Sequence, residues 1–182
     1  MRIFIIGLPG VGKSTLSSFL AQKIEVEPID LDAAIQLQTG LSIPQIFEQG
    51  EKIFRDYEST ALLDVISKNK EIIVACGGGT PCYNNNMQVM KNNGIVVYLK
   101  ADIDVVKQRL QGDRVNIRPL FEQTSANFLP IEDRLQRIYA DRKGYYEDAD
   151  LTIDWNAPFE GRILESLIDE IINFTKDECK RN

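Results

Sequence analysis

Histidine is absent from the 182-residue chain. Any general base must therefore be a carboxylate or another group, and no imidazole is available to complete a zinc site. Cysteine is scarce. Cys76, Cys82 and Cys179 are odd in number, widely spaced and contain no CxxC pair. That pattern excludes a disulfide framework and indicates reduced thiols in a cytosolic protein, with Cys76 in an apolar run and expected in the core. Long apolar runs are missing as well. The stretch 3–6 is too short for the h-region of a signal peptide, and nothing approaches the roughly 18 apolar residues of a membrane-spanning helix. Positive charge is in deficit, with 21 Lys and Arg against 27 Asp and Glu and a net charge of −6. A broadly basic nucleic-acid face is excluded, although a few placed cations can still bind an anionic ligand.

What is present is ordinary material for one domain. The length suits a single α/β unit over residues 1–182, and a hydrophobic fraction of 43% is enough to build its core. Short apolar runs alternate with helical patterns. Strands are expected at 2–6, 27–29, 71–75, 95–99 and 151–153. Helices are expected at 13–23, 31–38, 43–49, 51–68, 85–91, 103–110, 131–146 and 160–176. Alternation of this kind implies a parallel sheet covered on both faces. Residues 31–51 and the polar, irregular 111–127 stretch read as insertions on one core. No apolar surface stripe beyond the core's needs is visible, so a monomer is expected.

The sharpest motif is Gly7-Leu8-Pro9-Gly10-Val11-Gly12-Lys13-Ser14, which fits G-x-x-x-x-G-K-[ST] between a strand and a helix. Its glycines let the backbone wrap a phosphate, and successive N–H groups and the helix N-terminus then point at the anion. Lys13 reaches the β- and γ-phosphates, and Ser14 offers a hydroxyl to Mg²⁺. The motif identifies a phosphate site without separating kinase from ATPase, GTPase or binding module.

Asp30 and Asp32 follow the second strand, at the sheet end where ligands collect. One carboxylate can serve Mg²⁺ and the other can orient a substrate hydroxyl. A helix N-cap is the competing explanation, and the nearby P-loop favours function. No N/T-K-x-D guanine motif appears, so ATP is the expected donor. Arg55 and Glu58 lie three apart on a helix, either as a surface pair or as a fork fixed for a carboxylate, with Phe47 and Phe54 nearby to form a partly apolar pocket. Arg114 and Arg118, with Arg109 just before them, sit in the irregular stretch, read either as a solvated loop or as a lid over ATP. Gly77-Gly78-Gly79 is either a tight turn or a close backbone approach to substrate.

Together these features resemble the shikimate kinase family of nucleoside-monophosphate-kinase-like P-loop proteins. The likeness runs from residue 2 to about 153 and rests on the P-loop, Asp30-x-Asp32, Gly40-x-Ser42-Ile43 and Ile46-Phe47. It continues through Gly50-Glu51-x-x-Phe54-Arg55-x-x-Glu58, the triple glycine, Arg118-Pro119-Leu120 and Arg142-x-x-x-Tyr146. Between Phe47 and Gly50 the chain is one residue shorter than the family spacing.

The resemblance implies a three-layer α/β sandwich with a five-stranded parallel sheet in order 2-3-1-4-5. A substrate-binding insertion is implied at about 31–60 and a mobile lid at about 111–127. It implies phosphoryl transfer from ATP to the 3-hydroxyl of shikimate, on the path to aromatic amino acids, in the cytoplasm and with one Mg²⁺ per subunit. The nucleotide would be held by Gly10, Val11, Gly12, Lys13, Ser14 and Thr15, with Arg118 closing on ATP and Arg109 stacking near adenine. Asp30 would look toward Mg²⁺ together with Ser14. Asp32 would contact the acceptor hydroxyl, with Lys13 and Arg118 completing the catalytic set. Arg55 and Arg142 would grip the carboxylate, Gly78 and Gly79 would supply backbone contacts, and Pro9, Phe47, Phe54 and Leu120 would wall the ring. Gluconate kinase is a related reading, and a regulatory module that has lost catalysis is a reading of another class. Intact Lys13, Ser14, Asp30 and Asp32 argue against the latter.

Overall fold

The computed structural model describes residues 1–112 and 129–181. Five strands form one parallel sheet: β1 (Arg2–Ile6), β2 (Pro28–Asp30), β3 (Ile72–Ala75), β4 (Ile95–Lys100) and β5 (Leu151–Asp154). Their order is β2-β3-β1-β4-β5. The central strand β1 is a near-continuous apolar run, and Ile3, Phe4, Ile5 and Ile6 are fully buried, as a strand covered on both faces requires. β3, paired to it from Arg2↔Ile72 to Ile5↔Ala75, is buried along its whole length.

Helices join the strands and cover the sheet: α1 (Lys13–Ile24), α2 (Leu31–Thr39), α3 (Ile43–Gln49), α4 (Glu51–Lys68), α5 (Asn86–Asn93), α6 (Ile103–Gly112), α7 (Ile131–Glu147) and α8 (Gly161–Arg181). Each apolar stripe supplies the core, as with Leu16 and Leu20 of α1 and Ala61, Leu62, Val65 and Ile66 of α4. Cys76 lies in this core as expected. The closing helix runs past Lys176 to Arg181. Gly50 (φ 128°) alone ends α3 and begins α4, a corner that a residue with a Cβ rarely adopts. Among the described residues no helix is long and apolar enough to cross a membrane.

The path from β1 out to the β2 edge, back through β3 and across to β4 leaves a switch point beside β1. The carboxyl ends of β1, β2 and β3 therefore open on one crevice, where ligands bind in open α/β sheets. The opposite end is closed by packing. Arg2 donates from Nε to the Asn69 carbonyl at 2.8 Å and from its Nη atoms to the Ile66 and Asn93 carbonyls, closing the ends of α4 and α5. A Cβ on Gly94 would lie 2.5 Å from the Arg2 carbonyl oxygen, a backbone atom that cannot step aside. Gly94→Ala is expected to cost about 1–3 kcal/mol of stability, read as a lowered thermal midpoint. An unchanged midpoint would show that this strand end repacks freely.

Candidate active site

The loop between β1 and α1 is shaped by glycine. Gly7, Gly10 and Gly12 have φ of 140°, 79° and 107°, values that side chains resist. Lys13, 4% exposed, donates from Nζ to the Gly7 and Leu8 carbonyls at 3.0 and 2.9 Å, so the ammonium is folded into the curve of its own loop. A glycine-shaped loop leading into a helix N-terminus is the backbone arrangement that an anion cradle requires.

Asp30 ends β2 and caps α2. Its Oδ1 accepts from the Asp32 and Ala33 amides at 3.0 and 3.2 Å, while Oδ2 accepts from Ser14 Oγ at 2.8 Å. The cap explanation of Asp30 therefore holds for one oxygen, and the other meets Ser14. Cap geometry fixes the carboxylate, and the carboxylate meets the P-loop hydroxyl. With the cap assigned to Asp30, Asp32 is left in the first turn of α2 facing the triple glycine. A Cβ on Gly77 would stand 3.3 Å from Asp32 Oδ1 and 2.8 Å from Glu58 Oε1.

Arg55 is no surface residue. It is 6% exposed, and Glu58 is fully buried. Arg55 Nη1 donates to Glu58 Oε2 at 3.0 Å, while Nη2 and Nε donate to Glu51 Oε1 at 2.9 and 3.3 Å. Thr80 Oγ1 donates to the other Glu58 oxygen at 2.7 Å. Burial pushes the Glu58 carboxyl up, against the pull of Arg55. The hydrogen bond from Arg55 holds Glu51 below the ordinary carboxylate range. For Arg55 itself burial works against the charge, but Glu58 and Glu51 outweigh it and the guanidinium is held more firmly protonated.

The triple glycine lets these groups approach. A Cβ on Gly79 would fall 2.7 Å from Arg55 Nη1, and one on Gly78 would fall 2.9 Å from Pro9 Cδ and 3.3 Å from Arg142 Nη1. Arg142 and Tyr146 lie one turn apart on α7 and so reach the same place. The buried Tyr146 hydroxyl donates to the Gly78 carbonyl at 2.6 Å, with its ring stacked on Tyr98 at 5.1 Å. Arg142 Nη1 is buried and has no hydrogen-bond partner among the described residues. A buried donor without a partner costs about 1–3 kcal/mol, so this atom is poised for an acceptor from outside. Phe47 and Phe54 stack at 4.3 Å beside it.

The result is a cavity of about 90 Å³ bounded by Asp32, Phe47, Phe54, Arg55, Gly79 and Arg142, with Ile43, Glu58, Gly77 and Gly78 completing the wall. Arg109 lies elsewhere, on α6. Its guanidinium donates to the Val11, Trp155 and Ala157 carbonyls and lies 5.0 Å from the Phe159 ring centre, tying the P-loop to the segment after β5. Burial lowers its pKa. Arg114, Arg118 and Leu120, and almost all of the lid expected at 111–127, fall outside the described residues. Ile43 and Glu51 entered the sequence reading only as members of the family motifs, without a role, and Thr80 did not enter it. Glu51 stands four residues before Arg55, a spacing that signals a helical ion pair, whereas the contact of Thr80 with Glu58 spans 22 residues and leaves no local signal.

Comparison with known proteins converges on one family. The shikimate kinase family model matches residues 9–174. A shikimate kinase from Sulfurihydrogenibium sp. is 34% identical over 171 residues, covering 93% of this chain and 97% of that relative. Among solved structures, shikimate kinase from Bacteroides thetaiotaomicron superposes with a TM-score of 0.85 at 29% identity, covering 97% of this chain and 98% of that one. Shikimate kinase from Acinetobacter baumannii in complex with shikimate gives a TM-score of 0.81 at 31% identity, covering 97% of this chain and 93% of that one.

Proposed function

The chain belongs to the shikimate kinase family, and from that premise we propose that it transfers the γ-phosphoryl group of ATP to the 3-hydroxyl of shikimate, giving shikimate 3-phosphate and ADP. The observation that carries the reading is the buried, unsatisfied Arg142 Nη1 facing the same small cavity as the Arg55 fork and Asp32. Two guanidinium groups, an aromatic wall and one carboxylate suit a small ring that carries both a carboxylate and hydroxyl groups.

In the proposed mechanism Arg55 and Arg142 bind the acceptor carboxylate and so fix the ring against Phe47, Phe54 and Pro9. The Gly78 and Gly79 backbone lies close enough to add contacts. Asp32 accepts a hydrogen bond from the acceptor hydroxyl and takes its proton as that oxygen bonds to phosphorus and the bridging bond to ADP breaks. Little covalent work falls to the protein, because positioning and electrostatics dominate phosphoryl transfer. The P-loop amides cradle the phosphates and Lys13 adds positive charge there, a role to which Arg118 is also assigned. Arg109 and Phe159, beside Gly12, are assigned to the nucleoside end.

Ser14 Oγ and Asp30 Oδ2, 2.8 Å apart, are hard oxygen donors at the mouth of the cradle and fit Mg²⁺. Mg²⁺ keeps several waters and takes ligands from substrate phosphates, so one or two protein oxygens suffice. When bound, Mg²⁺ neutralises charge on the phosphate oxygens. The enzyme is proposed to act as a cytoplasmic monomer.

ADP production measured with shikimate, with gluconate and with neither tests this reading. Turnover is expected with shikimate alone. Turnover only with gluconate, or nucleotide binding without turnover, would refute it.

A further inference from the structure

The segment that follows the triple glycine is built with unusual care for a surface loop. Thr80–Cys82 forms one 3₁₀ turn, and Thr80 is bound to Glu58 from within it. Just beyond, Asn84 Nδ2 donates to the Arg55 carbonyl at 3.1 Å and to Ser59 Oγ at 3.0 Å. Asn84 and Asn85 both take left-handed backbone, φ 48° and 58°, and the Asn86 amide closes onto the Tyr83 carbonyl at 2.9 Å. Two successive residues with positive φ carry a conformational cost that asparagine tolerates better than most. The segment is thus fastened to α4 on either side of one residue, Tyr83.

Tyr83 is 37% exposed, yet its ring centre lies 4.1 Å from the Arg55 guanidinium carbon, closer than the Phe54 ring at 5.0 Å. A partly exposed ring therefore covers a cation that is itself almost wholly buried. The hydrogen bonds to Arg55 are made at its N–H groups, Glu58 on Nη1 and Glu51 on Nε and Nη2, and the Phe54 ring is the more distant of its two aromatic contacts. The nearer ring, Tyr83, adds a restraint that the N–H groups' partners do not supply.

We propose that Tyr83 is a positioning residue for the acceptor: its ring braces the face of the Arg55 guanidinium so that the fork is held at the angle the acceptor carboxylate requires. Arginine otherwise loses considerable rotamer freedom on binding, and a brace that removes this freedom in advance favours the acceptor without touching it. The inference rests on the assignment of Arg55 to the acceptor carboxylate.

The test uses the full chain, steady-state ADP release with shikimate, and three variants. Tyr83→Leu is expected to raise the shikimate KM by about fivefold to twentyfold, the range of a largely desolvated cation–π contact, with kcat and the ATP KM within about twofold of wild type. Tyr83→Phe keeps the ring and is expected to restore the wild-type shikimate KM. Arg55→Lys keeps the charge against Glu58 but loses the fork, and its shikimate KM should rise by more than that of Tyr83→Leu. A wild-type shikimate KM in Tyr83→Leu, with Arg55→Lys impaired, overturns the brace and leaves the clamp standing. A wild-type KM in Arg55→Lys as well removes the clamp and the brace with it. Equal impairment in Tyr83→Phe and Tyr83→Leu would also overturn the brace, because it would put the effect on the hydroxyl's hydrogen bond with Glu51 rather than on the ring, and so would a parallel rise in the ATP KM.

Discussion

Asp32→Asn is expected to lower kcat by about 10²–10⁴-fold, the usual contribution of a positioned general base, while ATP binding stays near wild type. Three features of the site make the effect large. The chain has no histidine, so no imidazole can substitute. The other carboxylate in the cavity wall, Glu58, has one oxygen on Thr80 and the other on Arg55 and is fully buried. The cap of α2 is provided by Asp30, so altering Asp32 leaves the helix start and the Ser14 contact in place. The measurement is steady-state ADP release together with the affinity for a fluorescent ATP analogue. A variant that keeps wild-type kcat would remove Asp32 from the chemistry, and one that loses ATP affinity in step with kcat would reassign it to the nucleotide.

Arg55→Ala should have two effects, separable by pH. The shikimate KM should rise by about 100-fold, since a charge-assisted, desolvated pairing is worth several kcal/mol when one partner is removed. The fold should also lose about 3–5 kcal/mol, because the Glu58 carboxylate is left buried without its counter-charge. The sign of the pH dependence follows from Glu58. Its native carboxyl is already pushed above the ordinary range by burial, so its contribution favours the fold below the unfolded pKa and is lost as pH rises through the native one. Removing Arg55 deletes the main group that lowers this pKa and drives it higher still. The deficit in thermal midpoint relative to wild type should therefore shrink as the pH is lowered from 8 toward 5. A deficit that grew on acidification would mean that Glu58 is not the residue left exposed to the loss.

Much of this architecture was legible in the residues. The apolar runs marked β1, β3 and β4, because strands buried on both faces leave a continuous hydrophobic record, whereas the short, partly exposed edge strands β2 and β5 were legible chiefly from the alternation with helices that implied the parallel sheet. The P-loop was legible for a similar reason: backbone geometry needs glycine at fixed positions, and φ at Gly7, Gly10 and Gly12 meets that need. Asp30 carried a signal with two explanations, of which the structure shows the helix cap on one oxygen and leaves the other oxygen on Ser14. Arg55 and Glu58 were legible as a pair through their helical spacing, but their burial was not, because it depends on Thr80 and the triple glycine arriving from another part of the chain. Tyr83 left no trace at all. Nothing in the run Thr80-Pro81-Cys82-Tyr83 announces that its aromatic ring ends on a guanidinium 28 positions earlier. Contacts of that kind are set by tertiary packing, and only coordinates reveal them.

The central claim is that the cavity selects its acceptor by a carboxylate held between Arg55 and Arg142. Shikimate methyl ester keeps the ring and all three hydroxyls and removes only that charge. Comparing kcat/KM for shikimate and its methyl ester in the wild-type protein tests the claim directly. A fall of at least about 100-fold for the ester is the predicted result, in line with the loss of a desolvated charged pairing. Equal kcat/KM for the acid and the ester would contradict it.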